Sequence, residues 1–329
     1  MGKHRSHPVF GGVPLLIMTA LVLPPLGGCT GGGGGGAPRL SQTETVALKK
    51  AASEANVLHE AISPSVSTDP ELTAYFQELG KRLVEAGRKT EAQRGTLEAV
   101  RVEFHLVNSP VANAFSTGGE HVYVYDGLFL RCGSEEELAA GMAHALAHTA
   151  LRHLARKELP ESEDPAVLAS EIVKSPYTPE EESEADRTGF QTYARAGWDP
   201  SRFGDLFQRV GGRDYTLRAR DPRKWAEQLP ASAQAWRRSP VADDRTFVQL
   251  QQKARAWAGS LPAARGGGGG GERADKASVV LGAMPNCFVA EQPEQSAARR
   301  RLQQMLPVPI SGTDRERGTG FGRPQRGGP

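Results

Sequence analysis

Residues 134–156 read SEEELAAGMAHALAHTALRHLAR, and this stretch decides the fold. It opens with a serine followed three residues later by a glutamate, the signature of a capped helix start, and apolar residues then recur at helical spacing. We therefore predict one helix over the whole stretch. His144 and His148 stand four residues apart on it, so both imidazoles lie on one face and can share a metal ion. A helix whose histidines bind nothing is the alternative.

A second predicted helix supplies carboxylates. Residues 178–181 read TPEE, a capping threonine with proline in the first turn, and the helix they open should end near Gly197. Glu182 and Asp186 lie four residues apart on it. One carboxylate can complete a His-His-Glu site while the other accepts a hydrogen bond from a ligand imidazole and fixes its tautomer. Because further glutamates crowd the same turn, a solvated acidic face is the alternative.

The remaining body predicts a mixed fold. The segment 69–87 starts with Asp-Pro, carries apolar residues at three- and four-residue intervals, and ends in glycine, which indicates a helix. Residues 100–107 alternate between apolar and polar, and residues 121–125 are rich in valine and tyrosine, so both are predicted strands. They form a hairpin or neighbouring strands, joined by a loop over 108–120. Residues 201–261 predict further helices.

The stretches 113–156 and 180–200 together resemble the zincin metallopeptidases that include the CAAX prenyl endopeptidase, HtpX and BepA. The resemblance covers roughly residues 69–245. It implies an α+β fold, a mostly helical single domain with a small β-sheet beside the active-site helix. It also implies a substrate-facing edge, where an extended peptide adds as a strand. The residues it assigns to this edge are Asn113, His121 and Tyr123.

The same resemblance implies a site for one Zn²⁺. The residues it assigns are His144, His148 and Glu182 as metal ligands and Asp186 as the carboxylate behind them. The family pattern is His-Glu-x-x-His, but Ala145 stands where the general base belongs. Zinc lowers the pKa of its bound water to about 7, yet peptide hydrolysis also needs a group that takes the proton. A second departure is Ser239-Pro240, where relatives commonly show His-Pro.

Loss of the base changes the expected function. General acid–base catalysis contributes about 10² to 10⁴ in rate, and Ala145 cannot provide it. Glu137 lies two helical turns from His144, about 10 Å along the axis, too far to act without rearrangement. We therefore expect a zinc-binding pseudoprotease that binds polypeptides in a chaperone-like way. An active zinc metalloendopeptidase with an unusual proton shuttle is the alternative, and a metal-free structural role is a third possibility.

Composition narrows the classes of partner. The 329 residues contain 40 Lys+Arg and 38 Asp+Glu, a formal net charge of +2, which gives no support for nucleic-acid binding. Three cysteines are too few for a fold built on disulfides. Cys132 and Cys287 can pair in an oxidising compartment if their Cα atoms lie within bonding range, and the sequence leaves this open.

The two ends predict a lipoprotein with a polar tail. Residues 1–28 have a basic start, a short apolar run and then Leu-Gly-Gly before Cys29, which resembles a bacterial lipoprotein signal. We expect a lipid on Cys29 that anchors the chain in the bacterial envelope, facing the periplasm; a short membrane anchor is the alternative. A glycine-rich tether over 29–40 leads to the metallopeptidase-like domain, 41–262. The predicted remainder, 263–329, is a glycine-rich linker and a weakly structured basic tail.

Overall fold

Capped helices surround a small sheet in the computed structural model, which describes residues 40–157, 159–211, 222–261, 269–289 and 291–307. The α-helices of this part of the chain are α1 (Gln42–Ile62), α2 (Pro70–Gly87), α3 (Glu91–Ala99), α4 (Asp126–Phe129), α5 (Glu135–Ala150), α6 (Pro165–Lys174), α7 (Pro179–Ala196), α8 (Asp205–Gly211), α9 (Pro222–Glu227), α10 (Asp244–Ser260), α11 (Gly269–Ala283) and α12 (Pro293–Met305). The strands are β1 (Glu103–Val107), β2 (Ala114–Ser116) and β3 (His121–Tyr125). The predicted α+β fold is confirmed.

Helix α5 lies at the centre of the molecule. Each of its residues except Glu136 is buried, and it packs against α7, α2, α3 and the sheet. The helix ends at Ala150, earlier than predicted, because Arg152 adopts a left-handed backbone with φ of 59°. The Arg152 guanidinium is held in this turn by hydrogen bonds to Thr96 Oγ1 at 2.8 Å and Glu44 Oε1 at 2.5 Å.

The sheet has the strand order β1-β3-β2, with β1 parallel and β2 antiparallel to β3. The two predicted strands are therefore parallel neighbours and not a hairpin. Strand β2 arises within the segment predicted as a loop. Its three residues are all buried, so they carry no alternation that the sequence pattern could reveal.

The segment after α10 differs from the weakly structured tail that its composition predicted. Helix α11 packs against α1, α6 and α12, and Val280 and Met284 are fully buried there. At the α11–α12 contact Gly282 has no side chain, and a Cβ placed on it would lie 2.8 Å from the Cβ of Ala298. The apolar run over 277–284 is short. Because its flanks are rich in arginine and glycine, the average composition of the tail does not reveal it.

Several predictions fall on residues outside the described ranges. These are the signal segment 1–28, the lipidation site Cys29, almost all of the tether 29–40, and parts of the tail at 263–268 and 308–329. Within the described ranges, no helix combines the length and the apolar character needed to cross a bilayer.

Candidate metal centre

Two imidazoles from α5 and one carboxylate from α7 converge on a single point. The Nε2 atoms of His144 and His148 lie 3.1 Å apart. Glu182 Oε2 lies 3.3 Å from His144 Nε2 and 3.9 Å from His148 Nε2. The structure thus brings together the three residues that the sequence suggested as metal ligands.

Local sequence explains why the two helices meet here. The Thr178 side chain accepts a hydrogen bond from the Glu181 backbone N–H, and the Glu181 side chain accepts one from the Thr178 backbone N–H. This capping box starts α7 one turn before Glu182. Farther along α7, Gly189 lies against α5, and a Cβ there would sit 3.0 Å from the Cα of His144. A glycine at this crossing therefore lets the two backbones approach closely enough for Glu182 to reach the histidines.

Asp186 orients the first imidazole. Its Oδ1 lies 2.7 Å from His144 Nδ1, and both side chains are fully buried. A carboxylate can only accept from this nitrogen, so Nδ1 carries the proton and the Nε2 lone pair of His144 faces His148 and Glu182. This is the role that the resemblance implied for Asp186.

The second imidazole is oriented by a residue to which the sequence gave no role. His153 Nδ1 lies 2.9 Å from His148 Nδ1, and its Nε2 lies 3.2 Å from Glu184 Oε2. If His153 donates to Glu184, it accepts from His148, and the Nε2 lone pair of His148 also faces the site. His153 was missed because the helix stops at Ala150, so a five-residue spacing does not follow helical periodicity.

The donor set fits a cation. Two Nε2 lone pairs that face each other repel unless a proton or a metal lies between them. Tetrahedral zinc with Zn–N of about 2.0–2.1 Å separates two ligand nitrogens by about 3.3 Å, close to the distance found here. Glu182 Oε2 is buried and lies within ion-pair distance of both histidine Nε2 atoms. A buried carboxylate oxygen that faces two imidazole nitrogens is placed as a ligand of a shared metal ion would be.

The pKa values of the two imidazoles are shifted in opposite directions. Burial disfavours the charged form of His144, but hydrogen bonds and charge from Cys287 and Glu182 raise its pKa to about 9. Burial and the neighbouring charge on His144 hold the pKa of His148 well below its ordinary value. The site therefore stabilises a single positive charge, as a metal ligand set with one carboxylate should.

Residue 145, where the resemblance expects a general base, carries no proton acceptor. Ala145 is buried beside the histidines, and its methyl group can neither accept nor donate a proton. Among the described residues, only Glu182 and Asp186 bring a carboxylate into contact with the two rings. Glu137 is instead bound to Arg209 Nε at 2.7 Å and to the Gly133 backbone, so it is not available to the site.

The predicted substrate edge needs correction. His121 and Tyr123 lie on β3, the central strand, whose backbone is bonded to β1 on one side and β2 on the other, so it cannot accept a peptide strand. Their side chains face α1, where His121 stacks on His59 with ring centroids 4.1 Å apart. The sequence did not show which strand is central.

Asn113 is near the site but already engaged. Its Nδ2 donates to the carbonyl oxygen of Pro285 at 3.0 Å, and its backbone oxygen accepts from the Tyr125 amide. Pro285 of the same chain therefore engages the Asn113 amide, to which the resemblance assigned a substrate-facing place.

Cys287 completes the surroundings and was not foreseen. Its Sγ lies 4.0 Å from His148 Nε2, and the ligand atoms of His144, His148, Glu182 and Cys287 are all within 4.8 Å of one another. Cys132 has a different partner: its thiol donates to the Leu128 carbonyl oxygen at 3.4 Å. The two thiols are free and not joined to each other, which answers the pairing left open by the sequence.

Comparison with known proteins finds similarity to a peptidase family and to named proteases. Residues 70–162 match the sequence model of Peptidase family M48. The chain is 32% identical over 171 residues to the beta-barrel assembly-enhancing protease of Yersinia pestis, covering 43% of this chain and 33% of that protein. It is 29% identical over 177 residues to the protein of the same name from Escherichia coli strain K12, covering 45% and 34%.

A more distant relative is eukaryotic. The mitochondrial metalloendopeptidase OMA1 of Schizosaccharomyces pombe is 26% identical over 155 residues, covering 42% of this chain and 44% of that protein. The chain spans about a third of the length of the bacterial relatives it matches.

Proposed function

Because this chain carries a domain of peptidase family M48, we propose that it is a zinc-binding pseudoprotease of the bacterial envelope. It binds polypeptides and hydrolyses them poorly or not at all. His144, His148 and Glu182 hold the ion, and Asp186 and His153 orient the two imidazoles from behind. When bound, zinc supplies a Lewis acid that polarises a carbonyl or acidifies a water.

One observation carries the proposal. Three buried donor atoms converge within hydrogen-bonding or ion-pair distance, while the residue next to the first histidine is Ala145. The site therefore has the side chains that bind a metal ion but lacks the side chain that transfers a proton. A site of this kind retains metal and positions a peptide, but lacks the group worth about 10² to 10⁴ in rate.

Partner and location follow from the relatives and the amino terminus. The bacterial relatives are named as proteases that enhance beta-barrel assembly, and a protease acts on polypeptides. We extend polypeptide binding to this chain as part of the proposal. The Leu-Gly-Gly-Cys sequence that ends at Cys29 supports lipid anchoring, with the domain facing the periplasm.

Metal analysis and gain of activity test the proposal together. The purified full-length protein should contain about one zinc per chain and should not cleave casein or itself. Ala145→Glu restores a proton acceptor and, combined with Cys287→Ser, should produce cleavage at least about 100-fold above the parent. It is made both alone and with Cys287→Ser, because the thiol lies at the site. Ala145→Gln, which has the same shape but cannot accept the proton in the same way, should stay inactive.

Two results contradict the proposal. A parent that already cleaves casein, and loses this activity in His144→Ala, is an active metalloendopeptidase that uses another proton shuttle. A parent free of zinc, with His144→Ala unchanged in every property, has a structural role without metal.

A further inference from the structure

We propose that Cys287 is the fourth protein ligand of the zinc, so that the carboxyl-terminal segment closes the site. The inference rests on the zinc site proposed above and adds its regulation. Four protein ligands are the mark of a structural zinc site, whereas catalytic sites keep one position open for water or substrate.

The distances bring the sulfur into range. Cys287 Sγ is 4.0 Å from His148 Nε2. Its distances to the ligand atoms of His144 and Glu182 are within 4.8 Å. Tetrahedral zinc with Zn–S of about 2.3 Å and Zn–N of about 2.0–2.1 Å separates sulfur from nitrogen by about 3.6 Å. A shift of a few tenths of an ångström therefore brings the thiol into the coordination shell.

A pair of asparagines fixes the segment that carries the thiol. Asn113 Nδ2 donates to the Pro285 carbonyl oxygen at 3.0 Å, and Asn286 Nδ2 donates to the Ala112 carbonyl oxygen at 2.9 Å. Asn286 Oδ1 in turn accepts from the Phe288 backbone at 2.8 Å. These bonds tie residues 285–288 to the chain just before β2, and they set the direction of the Cys287 side chain.

Phe288 seals the same side. Its ring is fully buried, stacks on Phe207 with centroids 5.7 Å apart, and meets the His144 ring edge-on at 5.4 Å. An aromatic side chain anchored between α5 and α8 keeps residues 285–288 against the metal ligands. The segment thus packs against the proposed ligands and places the Cys287 sulfur within 4.8 Å of their ligand atoms.

The chemistry of the neighbours favours a ligand over a merely buried thiol. A structural buried cysteine behaves as a small apolar side chain, and both Cys132 and Cys287 belong to the apolar core that contains Phe129. Cys287 differs because its sulfur also lies within 4.8 Å of two imidazole nitrogens and a carboxylate oxygen. Sulfur, nitrogen and carboxylate oxygen in one tetrahedral set is a combination that zinc accepts.

Cobalt substitution tests the assignment directly. Co²⁺ bound to the full-length protein should give an intense near-ultraviolet charge-transfer band from thiolate to cobalt, together with the visible bands of a tetrahedral ion. Cys287→Ser should keep bound cobalt and lose the charge-transfer band. Its zinc affinity, measured by competition with a chromophoric chelator, should fall more than about 100-fold, since replacing an outer partner alone costs about 10- to 100-fold.

The matched control is Cys132→Ser, which removes the other buried thiol and should leave both the band and the affinity unchanged. A parent that binds cobalt without the charge-transfer band overturns the Cys287 assignment while leaving the zinc site intact. The same holds if the band survives in Cys287→Ser. A parent that binds no cobalt overturns the zinc site as well. As a second measurement, Ala145→Glu should cleave casein faster with Cys287→Ser than alone, because the substitution opens the fourth position.

Discussion

The two imidazoles of the metal centre are oriented by different partners. His144 bonds through Nδ1 to a carboxylate, Asp186, at 2.7 Å, whereas His148 bonds to a second imidazole, His153, at 2.9 Å. His153 passes the interaction on to Glu184, whose side chain is 60% exposed. The chain of hydrogen bonds therefore runs from the buried site to solvent, and His153 is its positioning residue.

We predict that His153→Ala weakens zinc binding by about 10- to 100-fold, the usual effect of removing a partner that orients a ligand imidazole. The alanine leaves His148 Nδ1 without its acceptor, so the ring no longer has a fixed tautomer or direction. Competition against a chromophoric chelator measures the affinity. Glu184→Gln is the control, because an exposed partner contributes little and its loss should change affinity by less than about threefold. Equal affinity in parent and His153→Ala would remove His153 from the site.

Residues of the site could be predicted where a local pattern fixes them. His144 with His148, and Glu182 with Asp186, are pairs at four-residue spacing on well-capped helices, so the sequence alone places each pair on one face. Cys287 is 139 residues from His148 and belongs to no pattern of spacing. Its place depends on how α11 packs and on two asparagine contacts, which only the folded chain brings together.

At the scale of helices, the crossing of α5 and α7 depends on one glycine. A Cβ on Gly189 would lie 3.0 Å from both the N and the Cα of His144, and 3.1 Å from the carbonyl carbon of Ala143. All three contacts are with backbone, which cannot rotate away as a side chain can. A side chain at this position must therefore move α7 away from α5.

We predict that Gly189→Ala lowers the free energy of unfolding by about 1–2 kcal/mol and weakens zinc binding. Overpacking costs about 1–3 kcal/mol, and the better helix propensity of alanine returns part of it. Gly259→Ala in α10 is the matched control, since nothing lies within 4 Å of a Cβ there, and it should raise stability by about 0.5–1 kcal/mol. Urea unfolding of both variants gives the comparison. A gain in stability for Gly189→Ala would show that the helices can separate without cost.

Helix α1 meets the sheet through a second group of imidazoles. His59 of α1 stacks on His121 of β3, and His105 of β1 lies 3.0 Å from His121 through Nε2 and Nδ1. Burial lowers the pKa of His59, and burial together with the charge of neighbouring rings lowers the pKa of His105 to about 3 and of His121 to about 4. The folded protein therefore keeps these rings neutral in weakly acidic solution.

We predict that stability falls as the pH drops from about 6.5 toward 4. The unfolded chain takes up protons at histidines near pH 6.5, while the folded chain does not, so protons favour unfolding in this window. At pH 5 each ring held neutral costs up to about 2 kcal/mol. His105→Gln keeps a hydrogen-bonding side chain without the titration, and should reduce the loss between pH 7.5 and pH 5 by up to that amount. Urea unfolding is measured with chelator in every sample, so that metal release does not contribute; equal losses in parent and variant would contradict the prediction.

The elements themselves were predicted where their ends carry signals. Asp69 caps α2 and Thr178 caps α7, and both helices begin where those residues predicted. Strand β2 has three buried residues and no alternation, and the end of α5 is set by contacts of Arg152 with α1 and α3. Both depend on tertiary packing, which overrides local preference.

At the scale of the whole molecule, the candidate metal centre joins three distant parts of the chain. The proposed ligand residues come from α5, from the first turn of α7, and from the segment between α11 and α12. That last segment also contributes buried side chains, among them Met284 and Phe288, to the two apolar clusters of the core. A bound ion therefore stabilises long-range contacts as well as its own ligands.

We predict that a chelator lowers the thermal unfolding midpoint of the parent by on the order of 10 °C. Zinc at 1,000 times its Kd stabilises the folded state by about 4 kcal/mol, and each kcal/mol shifts the midpoint by about 2–4 °C for a domain of this size. Zinc should restore the midpoint and magnesium should not, because the nitrogen and sulfur donors do not suit magnesium. His144→Ala serves as the control and should unfold at the same temperature with and without chelator. Hydrogen exchange locates the effect: on metal removal, amides over 277–289 should lose protection while those of α2 keep theirs, because the former segment contains the proposed ligand Cys287 and α2 contains no proposed ligand. A chelator that changes neither the midpoint nor this exchange would mean that packing alone holds the three parts together.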